Sequence, residues 1–189
     1  MPEMKDEKEI IDGCRKSNRR AQKMLYQSYA AKFLGICLRY AKDRQEAEDV
    51  LQDGFVKIFK RIDQYSGAGS FEGWMKRIMV NTAITNYRQN LKRYNQIPVE
   101  ALAENDTECT PEDFEYTYEE LLKVVQSLPP GYRMVFNLFA IEGYPHKEIG
   151  QMMGIDVTTS KSQYSRARKI LQKKLLELKL KDITITHNE

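Results

Sequence analysis

Apolar residues recur along most of this chain at intervals of three and four, the spacing that lines one face of a helix. Ala47, Leu51, Phe55, Ile58 and Ile62 form such a stripe and predict a helix there. Tyr65-Ser66-Gly67-Ala68-Gly69-Ser70 then breaks the pattern, as a Gly/Ser loop that ends one helix and precedes another. A long helical stretch follows, from Phe71 to about Arg93. From Gln96 to Glu120 the periodicity lapses: Pro98, Pro111 and a run of acids with few aliphatics predict a flexible linker. Its end, Thr110-Pro111-Glu112-Asp113, resembles a helix start. Tyr118 to Leu128 reads as a helix, punctuated by Leu128-Pro129-Pro130-Gly131. Two more helical patterns and a long helix from about Val157 to Lys179 come after it. Strand-like residues are nearly confined to the tail at Asp182–Thr186, and Ile183 to Glu189 reads as a frayed end. The expected fold is all-α: two small helical domains, about 10–95 and 112–180, joined by an acidic linker over 96–111.

Composition sharpens this picture. A length of 189 residues with 41% hydrophobic content allows two small cores. No run of 18 apolar residues exists, so membrane insertion is not expected. The charged N-terminus lacks an apolar signal segment, so the chain is expected in the cytoplasm. Cys14, Cys37 and Cys109 lie far apart with no CxxC pair, which suits buried or free thiols better than a zinc site or a disulfide framework. The net charge of +3 conceals strong segregation. Residues 15–95 hold 17 basic and 7 acidic side chains, residues 96–120 hold 9 acids and no base, and residues 121–189 hold 11 bases and 6 acids. Two basic bodies joined by an acidic strap suit a polyanionic partner, because cations that neutralise phosphates release counterions.

Two stretches carry recognisable chemistry. His146 to Met153 forms a short helix with Ile149, Met152 and Met153 on one side. Gly154-Ile155-Asp156 makes a turn, glycine suiting the left-handed position and Asp156 the N-cap of the next helix. In that next helix Val157, Tyr164, Ala167, Leu171 and Leu175 are expected inside. Thr158, Thr159, Lys161, Ser162, Ser165, Arg166 and Lys169 are left outside. Hydroxyls followed by cations on one helix face suit the DNA major groove, although a solvated basic helix in an ordinary bundle shows the same composition. The second stretch, Ala47 to Phe59, sets Asp49, Gln52, Asp53 and Val56 on a face distinct from the apolar stripe. Carboxylates beside apolar groups, within a domain of strong positive charge, suit a protein that offers arginine. The bland alternative is an exposed acidic helix face.

A helix-turn-helix alone fits many repressors, but the combination resembles one family. Glu148-Ile149-Gly150, followed by Thr159-Ser160-Lys161-Ser162-Gln163-Tyr164-Ser165-Arg166-Ala167-Arg168, is similar to the fourth conserved region of extracytoplasmic-function sigma factors of the sigma-70 family. Its usual form there is E-I-A, a turn, then T-V-K-S-R-L-S-R-A-R. Ser160, Gln163 and Tyr164 depart from that pattern, and Gln163 replaces a usual Arg at an outward position. Leu128-Pro129-Pro130-Gly131-Tyr132-Arg133-Met134-Val135-Phe136 matches the family's lead-in to this region. Ala47-Glu48-Asp49-Val50-Leu51-Gln52-Asp53-Gly54-Phe55 resembles the second conserved region, as does Phe71-Glu72-Gly73-Trp74-Met75-Lys76-Arg77-Ile78-Met79-Val80-Asn81 with Ala83 and Arg88 after it.

The resemblance implies roles. Asp49, Gln52, Asp53, Phe55 and Phe59 would bind core RNA polymerase at the clamp helices of its largest subunit, and the polymerase flap region would be a further partner. Arg77, Asn81 and Arg88 share one face of a helix, with Lys76 nearby and Tyr65, Phe71, Trp74 and Tyr87 as aromatic neighbours. Cations with π faces suit single-stranded DNA. The resemblance places Tyr65, Lys76, Arg77, Asn81, Tyr87 and Arg88 at the promoter −10 element, with Tyr65 and its loop, together with Asn81, at a pocket for a base turned out of the stack. Phe71 and Trp74 read more readily as core. Thr158, Thr159, Lys161, Ser162, Gln163, Ser165, Arg166 and Lys169 would read the −35 element. Factors of this type are usually restrained by an anti-sigma factor.

No P-loop, Ser/His/Asp set or metal-ligand cluster occurs in the sequence, so no catalytic residue, metal or cofactor is expected. A dimeric repressor would need a ligand or phospho-acceptor domain, and the first body lacks βαβ signals for one. A nuclease or methyltransferase would need clustered carboxylates or a cofactor loop.

Overall fold

The computed structural model describes residues 7–94 and 115–186, with side chains over 7–91 and 115–179. Every regular element among these residues is helical: α1 (Glu7–Arg15), α2 (Arg19–Tyr40), α3 (Arg44–Arg61), α4 (Phe71–Tyr94), α5 (Tyr118–Gln126), α6 (Pro130–Phe136), α7 (His146–Met153) and α8 (Val157–Thr186). A 3₁₀ turn, Ile62–Gln64, follows α3, and a π turn, Asn137–Ile141, follows α6. The chain divides into two compact units, one ending at Asn86 and the other beginning at Tyr87. The expected linker and the expected helix start at Thr110–Asp113 lie outside the described residues.

In the first unit the stripe Ala47, Leu51, Phe55, Ile58 and Ile62 is wholly buried, as its spacing predicts. Leu25, Phe33 and Ile36 of α2 and Met75 and Met79 of α4 are buried as well, and the Phe33 ring lies 6.1 Å from that of Phe55. Gly54 faces the Met79 side chain of α4, and a β-carbon there would force the thioether to shift. Helix starts are set by side-chain oxygens that satisfy orphan N–H groups. Asn18 accepts from the N–H of Arg20 and Ala21 at 2.9 and 3.1 Å. Asp43 accepts from Glu46 N–H at 2.8 Å, while the Glu46 carboxylate takes the N–H of Lys42 at 2.7 Å. That backbone donor holds the Asp43 carboxyl below its usual range, with Lys42 adding to the effect. Cys14 and Cys37 are buried free thiols, and burial pushes their pKa values up to about 11 and about 12. Both are therefore poor nucleophiles.

The second unit is organised around α8, whose Ala167, Ile170 and Leu171 meet Val124 of α5 and the adjoining Leu128. Thr117 and Glu120 form a reciprocal capping box at the start of α5. Pro130 starts α6, where its missing N–H costs nothing. Arg133 is 3% exposed and donates to the Gln126 carbonyl at 2.6 Å, closing the end of α5 with a cation. Gly154 ends α7 at φ 70°, in the left-handed region expected from the sequence. Its N–H and that of Ile155 both bond the Gly150 carbonyl, at 2.8 and 3.0 Å.

Two expectations change. The strand-like tail Asp182–Thr186 continues α8 instead of fraying from Ile183, because a helix already propagating adds one hydrogen bond per residue. Val157, expected inside, is 40% exposed: it is the first residue of α8 and stands ahead of the buried stripe, which begins at Ser160.

Candidate protein and nucleic-acid interfaces

On α3, Asp49, Gln52, Asp53 and Val56 are all exposed, with Val56 at 50%. They share one face because Asp43 starts the helix and the apolar stripe pins the opposite side. Phe55 is not on that face. It is 3% exposed, with its ring 4.7 Å from Tyr26 and 6.1 Å from Phe33. Its position belongs to the buried stripe, so it builds the core beneath the face and offers nothing to a partner. Phe59 is half-buried, its ring 6.0 Å from Phe55. Tyr26 is 40% exposed, and sequence reading missed it. Its aromatic surface comes from α2, and the only sequence signal for it was a large ring outside any obvious stripe.

On α4, Arg77, Asn81 and Arg88 are exposed, and Lys76 and Tyr87 are half-buried. Burial raises the pKa of the Tyr87 phenol. The other side of α4 is fastened to α3: the Lys57 ammonium donates to Thr82 Oγ1 at 3.2 Å and the Asn86 amide donates to Glu46 at 2.9 Å. Tyr65, expected to offer an open ring, is 8% exposed. Its ring sits 4.9 Å from Phe71 and 5.6 Å from Trp74, and its hydroxyl donates to the Gly69 carbonyl at 2.8 Å. A ring so engaged shapes the 65–70 loop and is not available for stacking. Phe71 is buried, as expected, while Trp74 is half-buried.

On α8, Thr158, Lys161, Ser162, Ser165, Arg166 and Lys169 are exposed along one side. Thr159 is half-buried, and its carbonyl accepts from the Ser162 hydroxyl at 3.0 Å. Arg166 donates to the Tyr132 hydroxyl at 3.4 Å. Gln163 departs from expectation. It is half-buried, with its amide against Gly131 of α6, because α6 packs on this side of α8. Ser160 was left without a role by the sequence. It is fully buried and shares a 2.9 Å hydrogen bond with His146 Nδ1. Among the described residues no helix is long and apolar enough to cross a membrane.

The family model for "Sigma-70 region 2" matches residues 25–93, and the model for "Sigma-70, region 4" matches residues 118–171. The RNA polymerase sigma-H factor of Pseudomonas aeruginosa is 27% identical over 186 residues, covering 91% of this chain and 95% of its own length. The ECF RNA polymerase sigma-E factor of Haemophilus influenzae is 29% identical over 192 residues, covering 94% of this chain and 100% of its own. Among solved structures, the sigma factor RpoE in complex with the anti-sigma factor NepR from Bartonella quintana shares the fold, with a TM-score of 0.50 and 20% identity. It covers 82% of this chain and 96% of its own. Both matched regions fall on the helices that carry the acidic and basic faces. The chain belongs to the sigma-70 family as a factor of the extracytoplasmic-function type, a non-catalytic specificity subunit that binds core RNA polymerase and directs promoter-specific transcription initiation.

Proposed function

We propose a division of labour among the three faces. A domain of about residues 10–95 docks on the clamp helices of the largest polymerase subunit through Asp49, Gln52 and Asp53, with Phe59, Val56 and Tyr26 as apolar neighbours. Exposed carboxylates on a face that also carries the apolar Val56 suit paired arginines, whose guanidinium forks bind carboxylates in bidentate fashion. The same domain turns Arg77, Asn81 and Arg88 of α4, assisted by Lys76 and Tyr87, toward the −10 strand and helps to melt it. Cations there neutralise phosphates of the displaced strand. A domain of about 112–180, joined to the first through 96–111, reads the −35 duplex through Thr158, Thr159, Lys161, Ser162, Ser165, Arg166 and Lys169 and meets the flap region. The protein acts in the cytoplasm, nucleoid-associated within holoenzyme, under an anti-sigma factor.

The observation that carries this reading is the separation of charge. Acids are exposed on one side of α3, while α4 and α8 expose cations. The test is in vitro transcription from a randomised promoter library with purified core polymerase. Wild-type chain should enrich a two-element promoter, and Asp49→Arg with Asp53→Arg should abolish transcription together with core binding. Retained transcription by that double variant would refute the docking face.

A further inference from the structure

The loop between α3 and α4 is held shut by groups from three places. Tyr65 opens it and spans it, with its hydroxyl on the Gly69 carbonyl at 2.8 Å. Ser70 closes it, accepting the N–H of Trp74 at its carbonyl at 3.0 Å and that of Gly73 at its hydroxyl at 3.3 Å. The third clasp comes from outside the loop. Arg15, the last residue of α1, donates from Nη2 to the Tyr65 carbonyl at 2.7 Å. Its other guanidinium nitrogen pairs with Asp12 at 3.2 Å, one turn back on α1.

The anchor behind this clasp is firm. Ile11 and Cys14 bury one side of α1 against α2. Ser17 takes φ 54° in the turn between the helices, and the N–H of Asn18 bonds the Gly13 carbonyl at 3.0 Å. The Glu7 carboxylate accepts the Tyr29 hydroxyl at 3.0 Å, tying the start of α1 to α2 as well. The stretch that Arg15 helps to hold faces solvent: Ser66, Gly67, Ala68 and Gly69 are exposed, with both glycines at left-handed φ near 80°. Two glycines in a short loop allow many shapes, and a group that selects one lowers the ordering cost of binding.

We infer that Arg15 is a positioning residue for the loop 65–70 in its capture of an unstacked promoter base, acting through the Tyr65 carbonyl and touching no DNA itself. This rests on the −10 reading above. The sigma-70 region 2 model begins at residue 25, so α1 contributes the clasp from outside the matched region. It also gives Tyr65 a different part from the one its sequence suggested. Its carbonyl and hydroxyl transmit the position of α1 to the exposed residues, while its ring is spent on Phe71 and Trp74.

The experiment uses holoenzyme reconstituted from purified core polymerase and the full chain. The probe is a single-stranded DNA oligonucleotide selected from a randomised pool on wild-type holoenzyme. Arg15→Ala should weaken probe binding roughly ten-fold, as loss of a charge-assisted hydrogen bond does. It should also speed amide exchange at 66–69 in the free chain. The slope of log affinity against log salt should stay unchanged, because no phosphate contact is lost. Arg15→Lys keeps a donor and should recover much of the affinity, and core binding should not move. A slope that falls by about 0.7 in Arg15→Ala would make Arg15 a direct phosphate contact and overturn the inference. So would unchanged affinity and exchange in Arg15→Ala when Arg77→Ala or Asn81→Ala weakens binding. If the probe binds equally well to those two variants and to Arg15→Ala, the −10 reading itself has failed and takes this inference with it.

Discussion

The Ser160 hydroxyl and His146 Nδ1 lie 2.9 Å apart and join the first residue of α7 to the buried side of α8. The imidazole also stacks on Phe139 at 4.2 Å, with Tyr164 beside both rings. Burial lowers the pKa of His146, and the Lys161 ammonium lowers it further. A lowered folded pKa means that the unfolded chain binds the extra proton first, so stability falls as pH drops below the unfolded value of about 6.5. The loss stops once pH passes the folded value. Circular-dichroism melts should show a lower transition for the second unit at pH 5 than at pH 7.5, and His146→Gln should abolish that difference. Fluorescence of Trp74, the single tryptophan, reports the first unit separately and should not follow it. Ser160→Ala should cost about 1 kcal/mol at neutral pH by removing one hydrogen bond.

Phe55 and Val56 are neighbours in sequence with opposite fates, one 3% and the other 50% exposed. Phe55→Ala should destabilise the first unit by about 3–5 kcal/mol, since it empties a packed core site. Val56→Ala should leave the Trp74 unfolding curve within about 0.5 kcal/mol of wild type. It should weaken core polymerase binding measured by fluorescence anisotropy. Equal loss of stability in both variants would contradict the assignment of Val56 to the exposed face.

Arg133 is buried with its guanidinium on the Gln126 carbonyl. Arg133→Ala leaves that carbonyl and a cavity behind, and should destabilise the second unit by about 2–4 kcal/mol in urea denaturation followed by circular dichroism. Arg133→Lys should recover little, because an ammonium cannot reproduce the planar fork.

Lys161 and Arg166 stand on the exposed side of α8. Replacing both with Ala should reduce the salt slope of duplex −35 binding by roughly 2, about one per lost phosphate contact, without changing core affinity. Gln163→Ala should change the slope by less than either cation does, given that its amide lies against Gly131.

At the start of α3, Asp43→Ala should cost about 1 kcal/mol of first-unit stability, and Asp43→Asn should retain most of it. The lowered carboxyl contributes stability above its unfolded pKa, and that stability is lost as pH falls through the folded value. The Trp74-monitored acid midpoint of Asp43→Asn should therefore lie below that of wild type.

The sequence by itself determined the helical order, the buried stripe Ala47–Ile62, the left-handed Gly154 turn and the outward residues of α3 and most of α8. Each of these follows from local periodicity or backbone preference, which near neighbours alone decide. Only the tertiary structure decided that Tyr65 is folded onto its own loop, that Gln163 is covered by α6, and that Val157 stands clear of the core. It alone also paired His146 with Ser160 and Arg15 with Tyr65, 14 and 50 residues apart. A periodic pattern gives the angle of a residue around its own helix, whereas burial depends on which other helix arrives at that angle. That second quantity is set by contacts between segments distant in the chain, where no local spacing records it.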